Sequence, residues 1–117
     1  MTDIRPETVA ISSGRPEHGP GAALNTSISL NSTFTAGGGI GYGRFGNETW
    51  FALEETITAL EHGDSTLAFS SGMAAISAVF SLLPHGAPVV ASDHGYSGTM
   101  ALLKKYHEQG RLDVRFV

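Results

Sequence analysis

The chain has 117 residues, about the length of one small domain, and a formal net charge of −4 from 7 basic and 11 acidic side chains. This acidic balance argues against a nucleic-acid partner and against a polybasic membrane-binding patch, both of which need clustered lysine and arginine. Cysteine is absent, which excludes a disulfide framework and a thiolate metal site. Only 15% of the residues are charged, against about 25% in average globular chains, so we expect further polypeptide or a partner subunit to cover part of the surface.

The sequence predicts a cytoplasmic protein without a membrane partner. Residues 1–11 lack the apolar segment of a secretory signal. The longest apolar stretch, Met73–Leu83, is interrupted by Ser77 and Ser81, and it is shorter than the roughly 20 residues that span a bilayer. The five histidines lack the spacing of a metal site, so no metal is expected.

Residues 1–39 show neither a helical nor a strand period, and they contain three prolines and the Gly37-Gly38-Gly39 triplet. Composition alone leaves a disordered tail open. The less polar segment Ile28–Phe34 could instead dock on a folded body.

From Asn47 onward the pattern changes to alternating helices and strands with short connections, which is typical of the α/β class. Three strands are too few for a parallel sheet covered on both faces, so the chain resembles the beginning of a larger domain. The predicted elements are a helix starting at Asn47 or Thr49 and ending at Gly63, a strand at Ser65–Phe69, a helix from Met73 to Leu83, a strand at Pro88–Ser92, a helix at Gly98–Gln109 with Leu103 facing inward, and a strand with Leu112, Val114 and Phe116 on one face.

The turn Phe69–Ala75 (FSSGMAA) consists mainly of small residues between a predicted strand and a predicted helix. The first N–H groups of a helix have no internal partner and carry the positive end of its dipole, so this turn could bind a phosphate or a carboxylate. A plain turn capped by Ser70 or Ser71 is the alternative. A third interpretation is a nucleophile elbow with Ser70 as nucleophile and His94 as base, although Asp93 is next to His94 and is poorly placed to orient it.

The segment Gly41–Gly46 contains the letters G-x-G-x-x-G, but no clear strand precedes it, as a dinucleotide-binding site requires. Its side chains are more informative. The phenol of Tyr42 and the guanidinium of Arg44 together suit a phosphate dianion. A solvated loop with an incidental arginine is the alternative.

Tyr96 follows the predicted strand Pro88–Ser92. Ligands of α/β sheets bind beyond the carboxyl ends of the strands. A tyrosine there can lie flat against a planar ligand, a contact worth about 0.5–1.5 kcal/mol. Alternatively, Tyr96 packs at the rim of a loop that starts a helix.

These segments have the order and approximate spacing of one family. The chain resembles the N-terminal part of the Cys/Met-metabolism (transsulfuration) enzymes that depend on pyridoxal 5′-phosphate (PLP), such as cystathionine γ-synthase and the cystathionine lyases. The resemblance rests on Tyr42–Thr49 (YGRFGNET), Phe69–Ala75 and Asp93–Thr99 (DHGYSGT). It implies a PLP-dependent transferase fold of the aspartate aminotransferase type (fold type I), incomplete as a stand-alone domain. Residues 1–46 would be an arm that clasps a neighbouring subunit, and residues 47–117 would begin the PLP-binding α/β domain.

The resemblance also implies roles for individual residues. Ser71–Met73, with the backbone N–H groups of Gly72 and Met73, would bind the PLP phosphate. Tyr42 and Arg44 would reach the PLP phosphate of the neighbouring subunit in a homotetramer, a dimer of dimers with shared sites. Tyr96 would stack on the pyridine ring and help to move protons near an amino-acid substrate, which makes it the candidate catalytic residue.

The implied reaction is β- or γ-elimination, or γ-replacement, on cystathionine- or O-acylhomoserine-like substrates; synthase and lyase chemistry both stay open. The family needs a Schiff-base lysine and an acid for the pyridine nitrogen. The only lysines, Lys104 and Lys105, lie on a predicted helix without the family's sequence context, so we expect both groups to lie outside this chain and the chain alone to be inactive. A truncated product without a function of its own and a serine hydrolase using Ser70 are the alternatives.

Overall fold

The computed structural model describes residues 4–117, and the chain divides into two compact units, one ending at Ala68 and one spanning Phe69–Val117. None of the helices in the described residues is long and apolar enough to cross a membrane. The elements in chain order are α1 (Pro6–Ser12), α2 (Glu48–Glu61), α3 (Gly72–Ser81), β1 (Ala87–Ala91), α4 (Ser97–Glu108) and β2 (Leu112–Phe116).

Helix α1 corrects the expectation that residues 1–39 lack a helix. Pro6 occupies its first turn, where the missing N–H is not needed, and Glu7 faces the positive end of the dipole. None of its residues is buried. It packs on α2. Gly14, which follows the helix, also approaches α2: its φ is +67°, and a Cβ there would collide with the backbone of Ala52. Only glycine fits this approach.

The start of α2 holds the preceding segment in place. Asn47 is 3% exposed and its Oδ1 accepts a hydrogen bond from the Thr49 N–H at 2.9 Å, which confirms Asn47 as the N-cap. Its Nδ2 donates to the carbonyls of Ser29 at 3.2 Å and Asn31 at 3.5 Å. The Thr49 Oγ1 accepts from the Ser29 N–H at 2.8 Å and donates to the Ser27 carbonyl at 3.3 Å. Two helix-start side chains therefore bind the backbone of residues 27–31, which agrees with docking of that segment.

Helix α2 ends earlier than its glycine predicts. The last helical residue is Glu61, and His62 takes the left-handed conformation with φ of +53°. The N–H groups of both His62 and Gly63 bond to the Thr58 carbonyl. The cap is therefore a histidine in a conformation that glycine adopts at lower cost.

Replacement of His62 by glycine should raise the free energy of unfolding of this unit by about 1 kcal/mol, because a Cβ in the left-handed region costs roughly 1–2 kcal/mol and the extra freedom of unfolded glycine offsets part of the gain. Urea unfolding followed by Trp50, the single tryptophan, measures this effect. Ala59→Gly, inside the same helix, should lower the stability by about 1 kcal/mol. A stability loss in both variants would contradict the prediction.

The predicted strand at Ser65–Phe69 is wrong, because this segment has no strand partner among the described residues. Side chains of α2 take up its polar groups instead. The Ala68 N–H donates to Glu54 Oε1 at 2.7 Å, and the Thr58 hydroxyl donates to Thr66 Oγ1 at 2.7 Å. A short apolar run becomes a strand only where a neighbouring backbone can pair with it, and here the helix provides the hydrogen-bond partners.

The second unit is a parallel βαβ arrangement. Strands β1 and β2 pair in parallel from Ala87 with Leu112 to Ala91 with Phe116, and α4 is the crossover between them. The buried core consists of Leu103, Leu112 and Val114, in agreement with the predicted inward positions. Helix α3 packs against α4.

The side chain of Arg111 caps the C-terminal end of α3, a contact that the sequence does not predict. Its Nη2 donates to the carbonyls of Leu83 at 2.7 Å, Phe80 at 3.3 Å and Ser81 at 3.4 Å, and its Nη1 donates to the Pro84 carbonyl at 2.9 Å. The last carbonyls of a helix carry partial negative charge and lack partners within the helix. One guanidinium therefore anchors the C-terminal end of α3 while its N-terminal end faces the candidate site.

Candidate functional site

The first turn of α3 presents unpaired backbone donors. Ser71 is the N-cap, with extended backbone (φ −157°, ψ 155°), and its Oγ accepts from the Ala74 N–H at 3.2 Å. The N–H groups of Gly72 and Met73 precede the first intrahelical bond, so they have no partner within the helix. A Cβ placed on Gly72 would meet nothing within 4 Å. The Cβ side of Gly72 is therefore open among the described residues, and the dipole of the ten-residue helix favours an anion at this end.

Tyr96 lies next to this turn. It is the residue before α4, its backbone has φ of −55° and ψ of 129°, and it is 67% exposed. A Cβ built on Gly98 would lie 2.8 Å from Tyr96 Cε1 and 3.0 Å from Met73 Sδ. The ring of Tyr96 and the side chain of Met73 therefore flank the same point, and the structure brings together the predicted residues of the Phe69–Ala75 and Asp93–Thr99 segments.

Tyr42 and Arg44 form a pair on the first unit. Tyr42 is bridged to Thr33 in antiparallel fashion, and the Gly43 N–H donates to the Ser32 carbonyl at 2.7 Å. These contacts hold the backbone on either side of the pair against residues 32 and 33. Arg44 Nη2 donates to the Tyr42 hydroxyl at 3.2 Å, and its Cζ lies 5.3 Å from the centre of the Tyr42 ring. The phenol and the guanidinium are thus adjacent and exposed, as the sequence predicts for an anion-binding pair.

The glycines around this pair serve packing. A Cβ on Gly43 would lie 3.1 Å from the Asn31 carbonyl oxygen, and one on Gly46 would lie 2.6 Å from the Phe51 ring. Both glycines are buried. The G-x-G-x-x-G letters therefore arise from a tight turn against the preceding segment, which supports the interpretation that they do not form a dinucleotide-binding loop.

The side chains of the hydrolase alternative do not form a triad. The His94 side chain is 92% exposed, and its Nε2 lies 3.5 Å from Oδ1 of the adjacent Asp93. Within residues 4–117 no hydrogen bond joins Ser70 to His94. A nucleophilic serine requires such a bond, or a short approach to one, with the base held by a third group.

A parallel βαβ unit with a helix N-terminus beside an exposed tyrosine is an arrangement of the α/β class, in which ligands bind beyond the carboxyl ends of the strands and anions bind at helix N-termini. The family model of the Cys/Met metabolism PLP-dependent enzymes matches residues 7–117, and the chain therefore belongs to this family. The α/β fold expected from the sequence is confirmed, since solved structures of this family align with nearly the whole chain.

Individual relatives show the same similarity. Cystathionine γ-synthase of Mycobacterium tuberculosis is 41% identical over an alignment of 119 positions, and the alignment covers 95% of this chain and 30% of the relative. Cystathionine β-lyase MetC of Bacillus subtilis is 43% identical over 86 residues, or 74% of this chain and 22% of the relative.

Among solved structures, metB of Corynebacterium glutamicum superposes with a TM-score of 0.88 at 31% identity, covering 98% of this chain and 32% of that one. Cystathionine γ-lyase of Lactobacillus plantarum, complexed with L-serine, has a TM-score of 0.85 at 33% identity, with 97% and 31% coverage. The chain thus spans about a third or less of the length of these relatives.

Proposed function

We propose that this chain provides cofactor-binding residues of a PLP enzyme that performs β- or γ-elimination, or γ-replacement, on cystathionine- or O-acylhomoserine-like amino acids. Relatives named cystathionine γ-synthase, β-lyase and γ-lyase support this substrate class. The observation that carries the proposal is the open pair of amides at Gly72 and Met73, with the ring of Tyr96 beside Met73.

The first turn of α3 suits a phosphate in both charge and hydrogen bonding. The amides of Gly72 and Met73 can each donate one hydrogen bond. The Ser71 hydroxyl already accepts from the Ala74 N–H, and its own O–H can still donate to a phosphate oxygen. Three donors at the positive end of a helix bind a dianion without any cation from the same turn.

Tyr96 suits the ring of the same ligand. Its mostly exposed face can stack on a pyridine ring, for about 0.5–1.5 kcal/mol. Bound PLP acts as an electron sink for a carbanion at the substrate α-carbon. The role proposed for Tyr96 is to orient the ring and to hold or release a proton at its hydroxyl beside the substrate.

The Tyr42–Arg44 pair is proposed to bind the phosphate of a cofactor on a neighbouring subunit. The guanidinium presents a planar set of donors that matches phosphate oxygens. The Tyr42 hydroxyl accepts a bond from Arg44, so its own proton points away from the guanidinium and can be donated to an anion. This role implies a homo-oligomer with sites shared between subunits, for which a dimer of dimers in the cytoplasm is the proposed state.

The two lysines of the chain are not proposed as cofactor ligands. Both are exposed on α4, and the Nζ of Lys104 lies 6.0 Å from the centre of the Phe116 ring on β2. That position belongs to the packing of α4 on the strand. We propose that the Schiff-base lysine and the acid for the pyridine nitrogen come from polypeptide outside these 117 residues.

Gly72→Ala tests the phosphate site with pyridoxine 5′-phosphate, which has no aldehyde and needs no lysine. The unmodified protein should bind it, and Gly72→Ala should bind it at least fivefold more weakly, because the methyl group fills the open space beside the amides. The unfolding midpoint should not fall, since the added Cβ meets nothing within 4 Å. Isothermal titration calorimetry measures the affinity.

Gly19→Ala is the matched control, because a Cβ there also meets nothing within 4 Å and its φ is not positive. It should leave the affinity unchanged. Equal affinity of the Gly72→Ala and Gly19→Ala variants would refute the proposed phosphate site, as would failure of the unmodified protein to bind the probe.

A further inference from the structure

Gly98 is the second residue of α4, and the backbone does not explain why it is a glycine. Its φ is not positive, so an L-residue could adopt its conformation. Alanine is also favoured over glycine inside a helix. Neither the turn before α4 nor the helix itself calls for glycine at this position.

Space explains it. A Cβ on Gly98 would lie 2.8 Å from Cε1 and 3.3 Å from Cζ of Tyr96, and 3.0 Å from Sδ of Met73. Real Cβ atoms essentially never approach another atom more closely than 3.0 Å. A methyl group at position 98 therefore requires the tyrosine ring, the thioether or both to move.

The tyrosine ring is the group that can move. Two thirds of Tyr96 is exposed, and within residues 4–117 its hydroxyl makes no hydrogen bond that would hold the ring in place. The Met73 side chain is half-buried and unbranched, so it can also adjust. Both movements alter the surface beside the first turn of α3 and leave the core residues of the unit untouched.

We infer that Gly98 is a positioning residue: the absence of its side chain lets the Tyr96 ring lie against the first turn of α4, next to Met73. This inference rests on the proposed function only for the ligand that the ring meets. The placement of the ring itself is a property of the protein without ligand.

Placement of the ring is tested by NMR on protein carrying [ε-¹³C]tyrosine, which gives signals from the three tyrosines, with the Tyr96 signal assigned through Tyr96→Phe. In the unmodified protein the Tyr96 ring protons should show an NOE to the α protons of Gly98. Gly98→Ala should shift the Tyr96 signal at least three times as far as Gly95→Ala does, and should leave Tyr42 and Tyr106 in place.

Gly95→Ala is the matched control on the other side of Tyr96. A Cβ on Gly95 would make ordinary contacts, 3.5 Å from the Ser92 carbonyl oxygen and 3.9 Å from Met100 Cγ. If the Tyr96 signal moves no further in Gly98→Ala than in Gly95→Ala, the positioning role is wrong.

Ligand binding separates the ring contact from the phosphate contact. Gly98→Ala should weaken pyridoxine 5′-phosphate binding at least fivefold and change inorganic phosphate binding less than twofold. Unchanged affinity for pyridoxine 5′-phosphate overturns the positioning role. If the unmodified protein binds neither probe, the proposed function fails, and the NMR comparison still decides the inference about Gly98.

Discussion

Replacement of Arg44 by alanine should weaken PLP binding by roughly tenfold to a hundredfold, because hydrogen bonds to charged groups are each worth about 1.5–3 kcal/mol. The guanidinium is exposed next to the Tyr42 hydroxyl, so its removal deletes donors without emptying a packed core. Equilibrium dialysis of the oligomeric protein measures the effect. The oligomer is needed because the proposed partner of Arg44 is a phosphate bound to another subunit.

Two further variants make this test specific. Arg115→Ala removes the same charge from an exposed position of β2 and should leave PLP affinity unchanged. Tyr42→Phe keeps the ring beneath the guanidinium and deletes the hydroxyl, so it should give a smaller loss than Arg44→Ala. If Arg44→Ala and Arg115→Ala retain the same affinity, the role assigned to Arg44 is wrong.

Leu103→Ala should lower the free energy of unfolding of the second unit by about 3 kcal/mol, within the roughly 2–5 kcal/mol that buried leucine truncations cost. Leu103 is 1% exposed and belongs to the buried core with Leu112 and Val114. The truncation removes apolar contacts at the centre of this cluster, and the half-buried side chains packed around it can fill only part of the cavity. Hydrogen exchange of the amides in the β1–β2 ladder measures the change in this unit.

Leu82→Ala is the control for this prediction. Leu82 follows α3 and is 83% exposed, so the same truncation there should change stability by less than about 0.5 kcal/mol. Similar losses in Leu82→Ala and Leu103→Ala would mean that the core does not lie between α4 and β2.

Local signals predict much of this fold. Asn47 and Ser71 are residue types that favour the N-cap position, and each caps the helix that follows it. The alternation of Leu112, Val114 and Phe116 predicts the inward face of β2. These features depend on neighbours within a few residues in the chain. Helix α1 and the segment Ser65–Phe69 are mispredicted because their conformation depends on contacts with α2, which local periodicity does not encode.

The candidate site also contains some features that the sequence predicts and others that it does not. Sequence patterns identify Tyr42, Arg44 and the Phe69–Ala75 turn, because residue type and spacing alone define their chemistry. The sequence does not predict the roles of Gly98 and Arg111, since these roles depend on atoms that lie far away in the chain. The missing Cβ of Gly98 matters because of Met73, 25 positions earlier, and Arg111 binds carbonyls 27 to 31 positions away.

Asn47 has a consequence for the order of folding. The same buried amide initiates a helix with its oxygen and ties down residues 29 and 31 with its nitrogen. If either interaction is lost, the Asn47 side chain must become exposed or keep a buried polar atom without a hydrogen-bond partner. We therefore expect docking of the preceding segment and nucleation of the helix to be coupled, so that protection of both regions against deuterium appears and disappears together.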